Sequence, residues 1–405
     1  MTRSQRRGLL GCLVLALAVT LAGCDGTTPT STQQGTEDAP TTRSYDQRSG
    51  SIPGQYIVVL NDDVLQAKST AAVRSAARSL LRGTGATPTK TYAKALRGFT
   101  ASGLSDEQAA RLRGRPEVSL VEQDQFVKLS PPPGAGPGGD DGGSSGQTTP
   151  YGISRVGGPI SGVSGTAWVL DTGIDLDHPD LNVDTDRSAV FVSKGPGSKT
   201  ANDKDGHGTH VAGTIAAVDN SRDVVGVTEG VPVVAVKVLD DNGRGSYSDI
   251  IDGVDYVAAN AAQGDVANMS LGGGTSDALD TAVENAAAQG IYFSIAAGNS
   301  SEDAGNYSPA RTEATNVYTV SAFDDTDTFA SFSNFSGPTD PPIEYGGPGV
   351  DVLSLYADGG TTTLSGTSMS APHVAGVLLA TDGSPSTDGT VSSDPDGDPD
   401  PIAVQ

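Results

Sequence analysis

The chain has 405 residues, 36% of them apolar, and a net charge of −24, which leaves room for two or three domains and at least one large core. Its two cysteines, Cys12 and Cys24, both fall within the first 24 residues, so the remainder cannot be a disulfide scaffold. The charge is uneven: residues 1–147 hold 16 basic against 13 acidic side chains and residues 148–405 hold nine against 36, a balance of −27 that argues against a nucleic-acid partner.

Arg3, Arg6 and Arg7 precede an apolar run from Gly8 to Leu21, which is too short to span a bilayer comfortably and reads as the core of an export signal. Arg6-Arg7-Gly8-Leu9-Leu10 is similar to a twin-arginine signal without its usual flank. The run ends in Leu21-Ala22-Gly23-Cys24, which resembles the lipobox of bacterial lipoproteins and offers Cys24 as a lipid anchor; ordinary cleavage after small residues is the alternative. Residues 1–24 are therefore read as a lipoprotein-type signal. Residues 25–51, rich in Thr, Ser, Gln and Pro, cannot build a core and read as a tether.

From residue 52 the texture changes. Gln55 to Leu60 predicts a strand, Val64 to Leu81 a helix, Gly98 to Ala101 a strand, Ser105 to Gln108 a helix start and Val118 to Asp124 a strand. A βαββαβ order over 52–129 predicts a small α+β, ferredoxin-like domain, with 11 basic and seven acidic residues between Ile52 and Lys128. Residues 130–149, rich in Pro, Gly, Asp and Ser, read as an exposed, cleavable linker. Over 150–380 apolar strands at 168–170, 233–239, 266–271 and 291–297 alternate with helices at 207–218, 246–262 and 277–289, which predicts an α/β domain with a mostly parallel sheet and helices on both faces. Asp171, Ser270 and Asn299 stand at strand ends, on the carboxyl edge of that sheet where such folds place their sites. Residues 381–405 read as a solvated acidic tail, because Gly397 is misplaced among Asp394, Asp396, Asp398 and Asp400 for an EF-hand loop.

Gly366-Thr367-Ser368 stands before an apolar run that ends near Ala380, which predicts a helix with Ser368 at its N-terminus. Unpaired N–H groups and the helix dipole there favour the negative charge of a tetrahedral intermediate. Pro372 is expected within about the first turn, where its missing N–H costs little. Such a serine can also be only a helix cap. A nucleophilic serine needs a base and an orienting acid. The chain has four histidines, His178, His207, His210 and His373. The runs Asp171-Thr172-Gly173-Ile174-Asp175, Gly206-His207-Gly208-Thr209-His210-Val211-Ala212-Gly213 and Gly366-Thr367-Ser368-Met369-Ser370-Ala371-Pro372-His373-Val374-Ala375-Gly376 resemble, in that order, the subtilase family of serine peptidases. Ser270-Leu271-Gly272-Gly273-Gly274, Ala296-Ala297-Gly298-Asn299, Asn306-Tyr307-Ser308-Pro309-Ala310 and Ser331-Phe332-Ser333-Asn334 are similar to its proteinase K branch.

The resemblance covers residues from about 150 to 380 and implies Ser368 as nucleophile, His207 as general base and Asp171 as its orienting acid, with an acyl-enzyme intermediate. Spacing alone does not separate His207 from His210. Asn299 and the Ser368 N–H are the implied oxyanion donors. Gly245, Ser246 and Tyr247, with Ser270, Leu271 and Gly272, are the implied edges for an extended peptide. Ala297 and Gly298, with residues 304–307, are the implied lining of the pocket before the scissile bond, with apolar or aromatic preference. Residues 52–129 resemble an inhibitory prosegment that leaves its tail in the cleft. No cofactor is implied for catalysis; a structural calcium ion is implied at Glu344 and the carbonyls near Ala314 to Val317, beside a loop longer than the family's.

The expected partners are protein and peptide substrates and the chain's own prosegment, with no nucleic acid. The protein is expected to be an exported monomer, extracellular or lipid-anchored at the cell envelope. Residues 148–405 hold 31 Asp among their 36 acids and four Lys, which reads as adaptation to high salt, with an ordinary acidic extracellular enzyme as the alternative. The absence of His-Glu-x-x-His argues against a metal hydrolase that uses His207 and His210. The intact set of Asp171, His207, Ser368 and Asn299 argues against an inactive subtilase-like binding protein.

Overall fold

The structure, a computed structural model, describes residues 50–61, 69–130, 146–337 and 343–405. The signal and anchor readings at 1–24, the tether to residue 49 and linker residues 131–145 lie outside the described residues. Among the described residues no helix is long and apolar enough to cross a membrane.

The first domain is β1 (Ser51–Leu60), α1 (Thr70–Leu80), β2 (Thr87–Tyr92), β3 (Gly98–Ser102), α2 (Asp106–Arg113) and β4 (Val118–Lys128). Local chemistry starts both helices: the Ser69 hydroxyl accepts from Ala72 N, and Ser105 and Gln108 form a reciprocal capping box. The strands pair antiparallel in the order β2-β3-β1-β4. Tyr56, Val58, Leu60, Val73, Ala77, Phe99, Leu112 and Val121 close one face of the sheet against the helices.

The second domain begins with α3 (Tyr151–Arg155), β5 (Ala167–Asp171), β6 (Ala189–Val190), α4 (His207–Ala216), β7 (Val233–Lys237), β8 (Arg244–Ser246) and α5 (Tyr247–Asn260). It continues through β9 (Val266–Met269), α6 (Asp277–Ala287), β10 (Tyr292–Ala296), β11 (Val317–Phe323), β12 (Tyr345–Pro348), β13 (Val352–Tyr356), β14 (Gly360–Leu364) and α7 (Thr367–Ala380). It ends in β15 (Ser386–Thr390) and β16 (Pro401–Val404). Nine strands form one sheet in the order β15-β16-β12-β11-β10-β9-β5-β7-β6, parallel except for β15 against β16. Because side chains alternate across a strand, Trp168 and Leu170 of β5 join α5 and α6 in one core, while Ala167 and Val169 join α4 and α7 in the other. Helices therefore cover both faces, as expected.

Two expectations are corrected. Pro372 lies in the second turn of α7, past the positions whose N–H groups are free, so its ring leaves the Ser368 carbonyl without its i+4 donor. The Ser270 hydroxyl takes that place, donating to Ser368 O at 2.7 Å. Residues 381–405 are not wholly a solvated tail: β16 adds to the sheet beside β12, and Val391, Ile402 and Ala403 are buried. Asp400 is buried with them and accepts from the Ser321 hydroxyl. The apolar triplet Ile402-Ala403-Val404 was too short to outweigh the aspartates before it.

Candidate active site

Asp171 ends β5 with its carboxylate fully buried, and its backbone oxygen accepts from Val238 N and Leu239 N beyond the neighbouring strand β7. His207 opens α4 immediately after Gly206, whose φ of 101° a side chain would strain. His207 Nδ1 lies 2.8 Å from Asp171 Oδ1 and 3.0 Å from Oδ2. Burial pulls the imidazole pKa down, but the charge and hydrogen bond of Asp171, with Asp205 and Asp203 nearby, outweigh it and leave the pKa raised.

The other three histidines differ in kind. His210 is buried, its Nε2 lies 3.0 Å from Val352 O, and burial depresses its pKa to about 3. His373 is buried against Met369 O with its pKa depressed by burial to about 4. His178 accepts from Asp180 N, and burial lowers its pKa too. Among the described residues only His207 has a carboxylate on its ring nitrogen. The choice between His207 and His210 that spacing left open is thus a difference of environment.

Ser368 is the second residue of α7, and its hydroxyl donates to Ser270 O at 3.2 Å. Its helix and that of His207 pack together through Met369, Ala375 and Leu379 against Val211, Ala212 and Ile215, which brings the two N-termini to one end of the sheet. Asn299 follows β10; its Oδ1 accepts from Thr367 N at 2.9 Å and Thr367 Oγ1 at 3.0 Å. With the oxygen so pinned, Nδ2 faces outward and donates to Ser130 O at 3.0 Å.

Ser130 closes the described part of a docked tail. β4 runs on from the first domain and pairs antiparallel with β8, placing Phe126 opposite Ser246, Val127 opposite Gly245 and Lys128 opposite Arg244. Leu129 N then donates to Gly243 O at 2.9 Å. A β-carbon on Gly245 would strike Val238 O, so glycine is required for this edge. Val127 is buried in the core that holds Tyr247, Leu271, Ala278 and Ala304. Tyr247 donates to Gly274 O, and Gly273 N bonds to Ser308 O at 3.0 Å, which closes the far wall. Ala297 O accepts from Asn334 Nδ2 at 2.9 Å, and Gly298, with φ of 110°, donates to Thr367 Oγ1 at 3.1 Å. Ser246 caps α5 through Asp249 N.

A profile of the subtilase family matches residues 168–383, and one of the peptidase inhibitor I9 family matches residues 55–130. The chain belongs to the subtilase family. It is 38% identical to the alkaline serine exoprotease A of Vibrio alginolyticus over 85% of this chain and 63% of that protein. It is 38% identical to the extracellular serine proteinase of Thermus sp. (strain Rt41A) over 91% of this chain and 87% of that one. Proteinase R of Parengyodontium album is 35% identical over 71% of the chain and 70% of its own length. The chain thus spans slightly under two thirds of the Vibrio protein and more of the other two. Among solved structures, that of a cold-adapted subtilisin-like serine proteinase matches with a TM-score of 0.51 at 35% identity, covering 62% of this chain and 96% of that one.

In this subtilase the prosegment domain meets the catalytic domain by polar contacts as well as by its tail. Lys90 Nζ lies 2.9 Å from both Asp249 and Asp252. The carboxylate of Asp255 accepts from the backbone N–H groups of Ala93, Lys94 and Ala95 at 2.6 to 3.2 Å. In the other direction Asp124 accepts from Ser248 N at the start of α5, and Glu122 accepts from Ala278 N at the start of α6. Burial raises the pKa of both acids.

The roles of several residues escaped the sequence reading. Thr367 orients Asn299; Asp203 accepts from Asp205 N, Gly206 N and Thr209 N and so shapes the turn before His207. Asn334 holds Ser300 N and Ala297 O. Lys237, the one charge in the apolar run 233–239, is buried and donates to Thr172 O and Asp241 Oδ1. An acid before a turn and a lysine inside a buried strand were the available signals.

Among the described residues no three His, Cys, Asp or Glu side chains are grouped to hold a metal. Glu344 Oε2 accepts from Thr319 N at 2.7 Å, and burial raises its carboxyl to about 7.

Proposed function

We propose that this subtilase is an exported serine endopeptidase made as a precursor that its prosegment domain inhibits and that it cuts itself. One observation carries the reading: Ser130 O sits on Asn299 Nδ2 while the tail before it pairs with β8, as an extended substrate would. In the reaction, His207 Nε2 takes the proton of Ser368 Oγ as that oxygen attacks a peptide carbonyl carbon. For this the hydroxyl exchanges Ser270 O for the imidazole as its acceptor. Asn299 Nδ2 and the Ser368 N–H stabilise the oxyanion, and His207 then passes the proton to the leaving nitrogen. Water hydrolyses the acyl-enzyme by the same steps. Asp171 on Nδ1 holds the ring's tautomer and supports its cation.

Gly245, Ser246 and Tyr247 form one edge for substrate, with Ser270, Leu271 and Gly272 facing it. The buried seat of Val127 favours an apolar side chain three residues before Ser130 in the bound segment. The small residues Ala297 and Gly298 favour apolar or aromatic side chains nearer the bond. A calcium ion at Glu344 belongs to the proposal as a structural element only. Glu313 is the nearby carboxylate that raises Glu344 further, and a cation between them would neutralise both. Export, anchorage through Cys24, a monomeric state and tolerance of high salt complete the reading.

Enzyme freed of its prosegment should incorporate one equivalent of an organofluorophosphonate, and Ser368→Ala none. Turnover of a peptide substrate should fall about a millionfold in Ser368→Ala. Equal labelling of both proteins would sink the assignment.

A further inference from the structure

Resting on the peptidase reading above, we infer that Arg244 is a specificity residue: it selects an acidic side chain on the substrate residue two places before the one whose carbonyl reaches Asn299 Nδ2. The docked tail marks the place. Ser130 O sits on Asn299 Nδ2 at 3.0 Å, and Lys128, two residues earlier, lies opposite Arg244 in the antiparallel pair of β4 and β8. Directly opposed residues of such a pair stand on the same face, with β-carbons about 4.5–5.5 Å apart. The neighbouring pair of Val127 and Gly245 faces inward, Val127 into the core and Gly245 against Val238 O. Lys128 and Arg244 therefore share the outward face. A peptide bound in this register sets its own side chain at that place beside the guanidinium.

Arg244 has no carboxylate of its own. Among the described residues it makes no ion pair, whereas Arg155, Arg187, Lys204, Lys237 and Arg311 each hold one. The two acids nearest to it in sequence are engaged elsewhere: Asp240 Oδ1 accepts from the backbone N–H groups of Asn242 and Arg244, and Asp241 Oδ1 accepts from Lys237 Nζ. Arg244 O also accepts from Asp240 N at 2.7 Å, so the half-buried cation is carried on a fixed backbone. Residues 148–405 hold nine basic against 36 acidic side chains, and this one stands unpaired on the substrate edge.

Lys128 is exposed and sets a second positive charge across from it. Like charges directly opposite weaken a strand pair, and opposite charges strengthen it. A glutamate at that place supplies the planar guanidinium fork with the carboxylate it lacks. The tail thus docks through its backbone and Val127 in spite of Lys128, and a peptide with an acid there is the better match. Because both side chains reach water, exchanging Lys for Glu is worth roughly three- to tenfold in binding, less in molar salt.

The test uses wild type, Arg244→Gln and Arg244→Glu, each freed of its prosegment by limited thermolysin digestion of the linker. Two fluorogenic peptides carry the tail sequence from Gln125 to Ser130 before an aminocoumarin amide, one native and one with Lys128→Glu. The ratio of kcat/KM for the Glu peptide over the Lys peptide should be about three- to tenfold higher in wild type than in Arg244→Gln. In Arg244→Glu it should fall below the Arg244→Gln value by a similar factor, and molar salt should draw all three ratios together. Referring each ratio to Arg244→Gln removes the repulsion that the acidic domain exerts on any acidic peptide. That variant keeps both backbone bonds to Asp240, so the edge itself is retained. Equal ratios in wild type and Arg244→Gln, with both peptides cut, overturn the inference and leave the peptidase reading standing. If no enzyme cuts either peptide, the peptidase reading fails, and fluorescence polarisation of the same peptides on Ser368→Ala, with and without Arg244→Gln, decides about Arg244. A Glu preference that needs Arg244 upholds its role there; equal affinities, or no binding, overturn it.

Discussion

In the prosegment domain β1 buries Tyr56, Val58 and Leu60 in its own core and turns Ile57 and Val59 outward, whereas β5 of the catalytic domain buries both faces under helices of its own domain. Ile57 and Val59, with Tyr92, Ala95 and Leu96, instead join the core formed by α5 and α6. The prosegment is thus a sheet covered by helices on one side and by its enzyme on the other. A domain that borrows half its cover is specific for its partner and weak without it. The catalytic sheet is closed on both faces at β5 by helices of its own domain, so its cover there does not depend on the prosegment.

The largest way to break this contrast lies wholly inside the catalytic domain. Asp171→Asn should lower peptide turnover about ten-thousandfold while leaving prosegment affinity within a few-fold, because the carboxylate touches His207 and not the tail. Wild-type kcat/KM should also fall as pH drops through the raised His207 pKa, because the protonated ring cannot act as base. Stopped assays between pH 5 and 9 check both statements.

At the interface the effects are smaller. Asp255→Ala removes the acceptor of three prosegment amides and should weaken inhibition by added prosegment about 10- to 100-fold with kcat unchanged. Lys90→Ala should also weaken inhibition, and molar salt should reduce the difference between it and wild type, as screening does for partly exposed pairs. An unchanged inhibition constant in Asp255→Ala would refute the account of the borrowed face. The isolated prosegment should show little helix by circular dichroism and gain it on mixing with Ser368→Ala enzyme.

A third test concerns the sheet edge far from the prosegment. Asp400 is buried between Ser321 and the carboxylates of Asp394 and Asp396, and burial raises its pKa to about 8. The folded state therefore holds a proton that the unfolded state releases near pH 4, so stability is fullest below that pH and declines as pH rises toward 8. Asp400→Asn should flatten that decline in melting temperature between pH 5 and 8. The smallest expected effect is that of salt on the −27 domain: molar salt should raise its melting temperature, and an equal or higher midpoint at low salt would remove the halophilic reading. A chelator that leaves the melting temperature unchanged would likewise remove calcium from Glu344.

The strands and helices around the site were legible because their apolar periods are strong. The helix expected over 277–289 appears as Asp277–Ala287, and the serine helix runs from Thr367 to Ala380. The hairpin of β13 and β14 was not foreseen: its five pairs join Val352 through Tyr356 to Thr- and Gly-rich residues that carry little apolar signal. The C-terminal strands were missed for a related reason, since Asp400 reads as solvent-facing until Ser321 is seen beside it.

By itself the sequence determined the order of the strongly periodic strands and helices, a small α+β region ahead of an α/β one, and the candidate side chains, because periodicity, capping and motif chemistry are local properties of neighbouring residues. Tertiary structure alone decided which histidine carries a carboxylate, which serine hydroxyl accommodates Pro372, and which tail carbonyl reaches Asn299. Those contacts join residues 36, 98 and 169 positions apart. No local preference encodes such a distance; it is set by the packing of two helices on one sheet and by a strand edge that accepts β4.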